Sequence, residues 1–196
     1  CLPLTGVGLP MVVYLPPYYA GTLGLDLALT GILFSAVRWI DLPLDVLFGR
    51  MIDRTDTKWG RFRPWMVIGG LIMMLGLALV FFAPPGLSPL RAFAGLLLMY
   101  TGYSAAQVAH TSWGQALSTD YHERSRIFGW WQGANMIALL SLLAVPPLIN
   151  ALGPGWGLEK SPALGVHAMG WVLLALMLPA LLAVSTGVPD GAPVHA

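Results

Sequence analysis

The chain has 196 residues, of which 57% are hydrophobic and only 10% charged, and ten Lys plus Arg against nine Asp plus Glu leave a net charge of +1. Soluble domains carry about a quarter charged residues, so this composition excludes a water-soluble globule, and the near-neutral balance offers no basic footprint for nucleic acid. The single cysteine, Cys1, excludes an internal disulfide and a cysteine-rich metal site.

Apolar stretches near the roughly 20-residue length that crosses a hydrocarbon core predict six helices, over about 4–21, 27–51, 64–84, 88–116, 127–150 and 164–187. The first holds Pro10, Pro16 and Pro17 with Tyr14, Tyr18 and Tyr19, which predicts a broken or bent helix. Asp26 and Ser88 are placed to cap the second and fourth. No segment alternates with period two, so an outer-membrane barrel is not expected. Residues 188–196, with Pro189, Gly191 and Pro193, read as a linker or a cut end. The expected architecture is an all-α membrane protein, one six-helix transmembrane bundle over 1–187.

Basic residues set its orientation. Arg50, Arg54, Lys58, Arg61, Arg63, Arg124 and Arg126 lie on one side and only Arg91 and Lys160 on the other; seven against two places both chain ends in the cytoplasm. Trp59 and Trp65 then fall at the inner interface and Trp156 near the outer one.

The second stretch contains charges that a bilayer does not tolerate idly. Arg38, Asp41 and Asp45 each cost about 3 kcal/mol in mid-membrane, and offsets of three, four and seven put them on one helical face. That face must look into protein or water. One arginine neutralises one aspartate, and the second carboxylate needs a positive partner that a transported cation or a proton supplies. Asp41 and Asp45 are therefore the candidate cation or proton site, with Arg38 as a cavity-lining charge. Pro43 lies between the acids and predicts a kink that frees the carbonyl of Trp39. The plainer alternative is a fixed ion pair stapling two helices.

On the fourth stretch Tyr100, Tyr103, Ser104, Gln107, His110 and Thr111 recur at helical spacing, and a polar stripe in lipid implies a cavity. Aromatic faces beside amides and hydroxyls suit a hydroxylated ligand such as a sugar, which makes Tyr103, Gln107, His110 and Trp113 substrate-binding candidates. Trp131, Gln132 and Asn135 on the fifth stretch extend the same lining. Hydrogen bonding between helices is the competing role for each. His110 has no second His, Cys or acid at ligand spacing, so no metal site is expected, and no nucleophile with its base points to an enzyme.

Two long segments resemble the glycoside-pentoside-hexuronide:cation symporters of the major facilitator superfamily, the melibiose-permease-like family. The first is Arg38-x-x-Asp41-x-x-x-Asp45, then Gly49-x-x-x-Asp53-Arg54-Thr55 and Lys58-Trp59-Gly60-Arg61-Phe62-Arg63-Pro64-Trp65. The second runs from Trp113-Gly114 through Ser118-Thr119-Asp120-Tyr121-His122-Glu123-Arg124-Ser125-Arg126. The resemblance implies the amino-terminal half of a twelve-helix transporter in the cytoplasmic (inner) membrane. It implies Asp41 and Asp45 as the site of the coupling ion, Na+ or H+, with no other cofactor. Gly49, Asp53, Arg54, Arg61 and Arg63 match its cytoplasmic gating motif. Thr5 and Ala109 stand where the family's sugar-binding acids fall, so a galactoside site of that type is not implied. Leu44 and Ala106 replace side-chain oxygens that sodium-using members offer, which makes a proton at least as strong a candidate as Na+.

The expected function is cation-coupled symport of a sugar or sugar-like solute by alternating access. The expected partners are that small molecule, the lipid bilayer and a carboxy-terminal six-helix bundle, with no nucleic acid. The alternatives are a same-fold transporter of lipid-like or amphipathic cargo and a non-transporting membrane scaffold subunit. The scaffold requires Arg38, Asp41 and Asp45 to be mutually paired and sealed from water.

Overall fold

A computed structural model describes residues 2–118, 120–156 and 161–187. They form six helices: α1 (Leu2–Gly21), α2 (Leu27–Asp53), α3 (Arg63–Phe81), α4 (Pro89–Ala116), α5 (Tyr121–Leu152) and α6 (Pro162–Gly187), with a 3-10 turn, Gly153–Trp156, after α5. Lys160, the side chain of Trp156 and the 188–196 tail lie outside the described residues. Four helices, α2, α3, α5 and α6, are long and apolar enough to cross a membrane. The prolines and tyrosines of α1 and the polar stripe of α4 lower the hydropathy of the other two.

The starts of four helices are set by side-chain caps, that of α6 by the Ser161 hydroxyl, which accepts the Leu164 N–H at 3.0 Å. The Asp26 carboxylate accepts the Leu29 N–H at 3.1 Å, and the Ser88 hydroxyl accepts that of Arg91 at 3.4 Å. Asp120 accepts from His122 and Glu123 at 2.7 and 3.0 Å, so α5 begins at Tyr121 rather than near residue 127. Those extra residues are polar, and a search for apolar length does not see them.

Of the two expected forms of α1, broken or bent, the first does not occur: it is one helix through Pro10, Pro16 and Pro17. Its buried stripe of Val7, Met11, Leu15, Tyr18 and Tyr19 packs into the bundle core, and this packing outweighs the donors that the prolines remove. Helix α2 carries Pro43 in its interior and is one helix from Leu27 to Asp53.

Two carbonyls that a proline four residues further on cannot serve are taken by tyrosines of α1. Pro147 has no N–H for Leu143 O, which instead accepts the Tyr14 hydroxyl at 3.0 Å, tying α1 to α5. Pro84 cannot serve Val80 O, and the Tyr19 hydroxyl does so at 3.2 Å. Tyr14→Phe should leave the Leu143 carbonyl orphaned and cost about 1 kcal/mol, read as a fall of a few degrees in the thermal midpoint in detergent. An unchanged midpoint would show that the carbonyl is satisfied without Tyr14.

The closest helix pair is α3 with α4. A Cβ built on Gly69 would lie 2.7 Å from Ala106 N, and those on Gly76 and Gly102 would run into the backbones of Met99 and Met73. Helix α2 packs on the other side of α4, and α1 is held among α2, α5 and α6. This arrangement brings the polar stripe of α4 against the charged face of α2.

Candidate ion site between α2 and α4

Asp41 is buried at 4% exposure, and its Oδ2 accepts from Arg38 Nη1 at 3.0 Å one turn earlier on the same helix. Its Oδ1 is buried without a hydrogen-bond partner among the described residues. Asp45, one turn further on, is exposed, and its Oδ1 accepts the Ser104 hydroxyl of α4. Arg38 does not pair with Asp45; its side chain is 63% exposed, and Cζ lies 5.7 Å from the ring centroid of Tyr100. One guanidinium thus faces two carboxylates, and among the described residues the second carboxylate has only a neutral hydroxyl.

Both acids open on a cavity of about 360 Å³, lined by Arg38, Asp41 and Asp45 from α2 and by Tyr103, Gln107, Val108, Thr111 and Ser112 from α4. Such a site holds one unbalanced negative charge beside hydroxyl and amide oxygens, so its physical preference is for a small cation or a proton. Among the described residues no cluster of three or more His, Cys, Asp or Glu is arranged for a metal ion.

The sequence-derived substrate candidates separate into three groups. Tyr103 and Gln107 line the acid cavity. His110 and Trp113 line a different, mostly apolar space of about 320 Å³ with Leu4, Met66, Gly70 and the end of α6. Trp131 lies between helices α4 and α5, edge-on to His110 at 4.6 Å and stacked on Phe128 at 5.1 Å. His110 Nδ1, Trp113 Nε1 and Trp131 Nε1 are all buried without hydrogen-bond partners among the described residues. Gln132 is exposed, and Asn135 is half-buried. None of these five residues lines the acid cavity. Trp113 falls about 80° around α4 from Tyr103, which explains its different neighbours.

At the other end of α2, Asp53 is ion-paired with Arg61, whose Nε also donates to Ile52 O at 3.1 Å. Trp65 Nε1 donates to the Thr55 hydroxyl at 2.8 Å, so the α2–α3 loop is tied to the helix end. Gly49 sits where an added Cβ would meet open space, Arg54 is exposed, and Arg63 keeps a buried Nε without a partner among the described residues. Of the five motif residues, only Asp53 and Arg61 are joined by an ion pair. In the second motif, Ser118 donates to Glu123 at 2.8 Å and Arg124 donates to Ser118 O at 3.1 Å, closing the turn into α5.

Sequence reasoning places Ser104 in the polar stripe but does not pair it with Asp45. A contact between residues 59 apart has no local signal, although a hydroxyl next to Tyr103 on the stripe facing α2 is the available clue.

Comparison with known proteins gives a consistent set of relatives. A family profile described as MFS/sugar transport protein matches residues 2–194. The lactose permease of Lactobacillus helveticus is 30% identical over 174 residues, covering 81% of this chain and 26% of the permease. The inner membrane symporter YicJ of Escherichia coli is 26% identical over 148 residues, covering 73% of this chain and 32% of that protein. A putative sulfoquinovose importer of Salmonella typhimurium is 30% identical over 158 residues, covering 78% and 32%. The chain therefore spans between a quarter and a third of the length of these relatives.

Proposed function

The chain belongs to the MFS/sugar transport protein family, and from that premise we propose that it is the amino-terminal six-helix bundle of a cation-coupled sugar symporter. All six helices cross the cytoplasmic membrane, α1 and α4 included, with both chain ends in the cytoplasm as the basic residues dictate. A second bundle completes the transport path, and the solute passes between the two.

The observation that carries this reading is the asymmetric pair of acids. Asp41 is held by Arg38, whereas Asp45 is exposed in the cavity with only the Ser104 hydroxyl upon it among the described residues. A sealed scaffold would close both carboxylates with positive charge. In the proposed cycle the coupling ion, Na+ or H+, neutralises the surplus charge of Asp41 and Asp45. Ion and solute favour the same bundle arrangement, because a ligand with no differential affinity between states shifts nothing. Asp53 and Arg61 hold the cytoplasmic end in one access state and release it in the other.

The test uses the full-length protein in right-side-out membrane vesicles, with radiolabelled lactose and sulfoquinovose as probes. An inward Na+ or proton gradient should drive accumulation of at least one probe above the level reached when the gradient is collapsed. Equal levels with and without both gradients would remove the coupling, and no uptake of either probe would remove the transport reading for these solutes.

A further inference from the structure

The chain between α2 and α3 gathers charge that the fold itself does not use. Residues 50–63 carry five cations, Arg50, Arg54, Lys58, Arg61 and Arg63, against two carboxylates, Asp53 and Asp56. Arg61 is taken by Asp53. Arg50, Arg54 and Lys58 are exposed, and their side chains make no hydrogen bond or ion pair among the described residues. The α4–α5 turn at the same end of the bundle is balanced by comparison. There Asp120 caps α5 and Glu123 takes the Ser118 hydroxyl, with Arg124 and Arg126 beside them.

Short bonds hold this loop in one shape. The Gly60 N–H donates to Thr57 O at 2.8 Å and the Thr57 hydroxyl donates to Gly60 O, which closes a turn with Lys58 and Trp59 as its two central residues. Gly60 has a φ of 92°, where a side chain would be strained. Trp65 Nε1 and Arg61 Nε, bonded to the Thr55 hydroxyl and Ile52 O, pin the rest of the loop to the end of α2. The tip therefore presents an ammonium beside an indole that is 67% exposed and has no ring contact among the described residues. Arg50 and Arg54 lie one turn apart on one face at the end of α2.

We propose that this loop is a docking surface for anionic phospholipids of the cytoplasmic leaflet. Arg50, Arg54 and Lys58 meet headgroup phosphates, and the Trp59 ring seats beside them at headgroup level. Clustered cations just outside a spanning helix are drawn to an anionic leaflet, and an indole is at home at the same depth. A free anion has no use for the indole, whereas a leaflet meets ring and charge together. A second protein bundle closing over the loop would have to bury three unpaired cations, a desolvation cost that a hydrated headgroup layer does not exact. The inference goes beyond solute transport and rests on the cytoplasmic placement of this loop.

The experiment places the full-length protein in phosphatidylcholine nanodiscs doped with brominated phosphatidylglycerol or brominated phosphatidylcholine. It reads the part of the tryptophan quenching that Trp59→Phe removes. Half-maximal quenching of Trp59 should need about tenfold less of the glycerol lipid than of the choline lipid. Arg50→Gln and Lys58→Gln should each cut that preference about threefold to fivefold, and high salt should erode it. Equal quenching by the two lipids, or a preference that survives both substitutions together, would overturn the proposal. Displacement of the lipid by soluble glycerol phosphate would assign the cations to a free anion instead. Loss of gradient-driven uptake by the double variant in pure phosphatidylcholine would assign them to the second bundle. Placement is tested separately. Lys58→Cys should gain label from a membrane-impermeant maleimide, beyond that of the unsubstituted protein, in inside-out vesicles and not in right-side-out ones. The reverse pattern would overturn the orientation on which the lipid contact rests.

Discussion

Asp45→Asn in the full-length protein is expected to abolish ion-driven accumulation while leaving the amount of protein in the membrane unchanged. The substitution keeps the volume and an oxygen able to accept from Ser104, so the α2–α4 contact survives. What disappears is the unbalanced charge. A carboxylate about 4 Å from a monovalent ion is worth about 4 kcal/mol at an effective dielectric of 20, so ion affinity falls by about two to three orders of magnitude. Asp41→Asn acts differently, because it strips Arg38 of its paired carboxylate and leaves a guanidinium in the path. The measurement is uptake under an imposed gradient beside quantitative membrane immunoblotting. Undiminished gradient-driven uptake in the Asp45→Asn variant would sink the assignment of the ion to this acid.

A second large effect is expected at Gly102, this time on the bundle itself. A Cβ there would meet the backbone of Met73 and stand 2.7 Å from Gly69 O, so a leucine has no rotamer that avoids α3. Backbone, unlike a flexible side chain, cannot step aside. Separating α3 from α4 forfeits close packing along the whole interface, which is what holds helices together in lipid, where apolar burial drives nothing. The cost is about 3 kcal/mol or more, enough to empty the membrane of folded protein. Gly133→Ala is the control, since an added Cβ there meets nothing within 4 Å. Size-exclusion profiles after detergent extraction separate the outcomes: Gly102→Leu should aggregate and Gly133→Ala should elute like the unsubstituted protein. A monodisperse Gly102→Leu would show that the α3–α4 spacing is not fixed by glycine.

Most of the helix plan is legible in the sequence because apolar length and capping are local properties. Asp26 and Ser88 announce α2 and α4 from a few residues, and the caps form as read. The first turns of α5 escape because Tyr121–Arg126 is polar, although Asp120 followed by Glu123 is itself a helix-start signal. Whether α1 breaks is not legible because prolines speak for the isolated helix, whereas the buried stripe from Val7 to Tyr19 speaks for the bundle.

For the site, the coincidence of Arg38, Asp41 and Asp45 on one face is readable because ionised groups in an apolar stretch must turn from lipid and the helical period shows which face they share. Which acid Arg38 takes, and that Ser104 takes the other, depends on side-chain reach and on the rotation of α4 against α2. The helical period alone does not contain those quantities. The same rotation sends His110 to a different cavity from Gln107 despite their shared stripe.

The glycine seam also bears on how the molecule moves. Two helices whose main chains touch have no compliant layer to shear, so any tilt of α4 takes α3 with it as a plate. The α2–α4 boundary is of another kind, joined by a hydroxyl-to-carboxylate link from Ser104 to Asp45, for which the proposed coupling ion would compete. Within this bundle, yielding is therefore concentrated at the surface where the charge resides, and the opposite surface serves as the rigid lever.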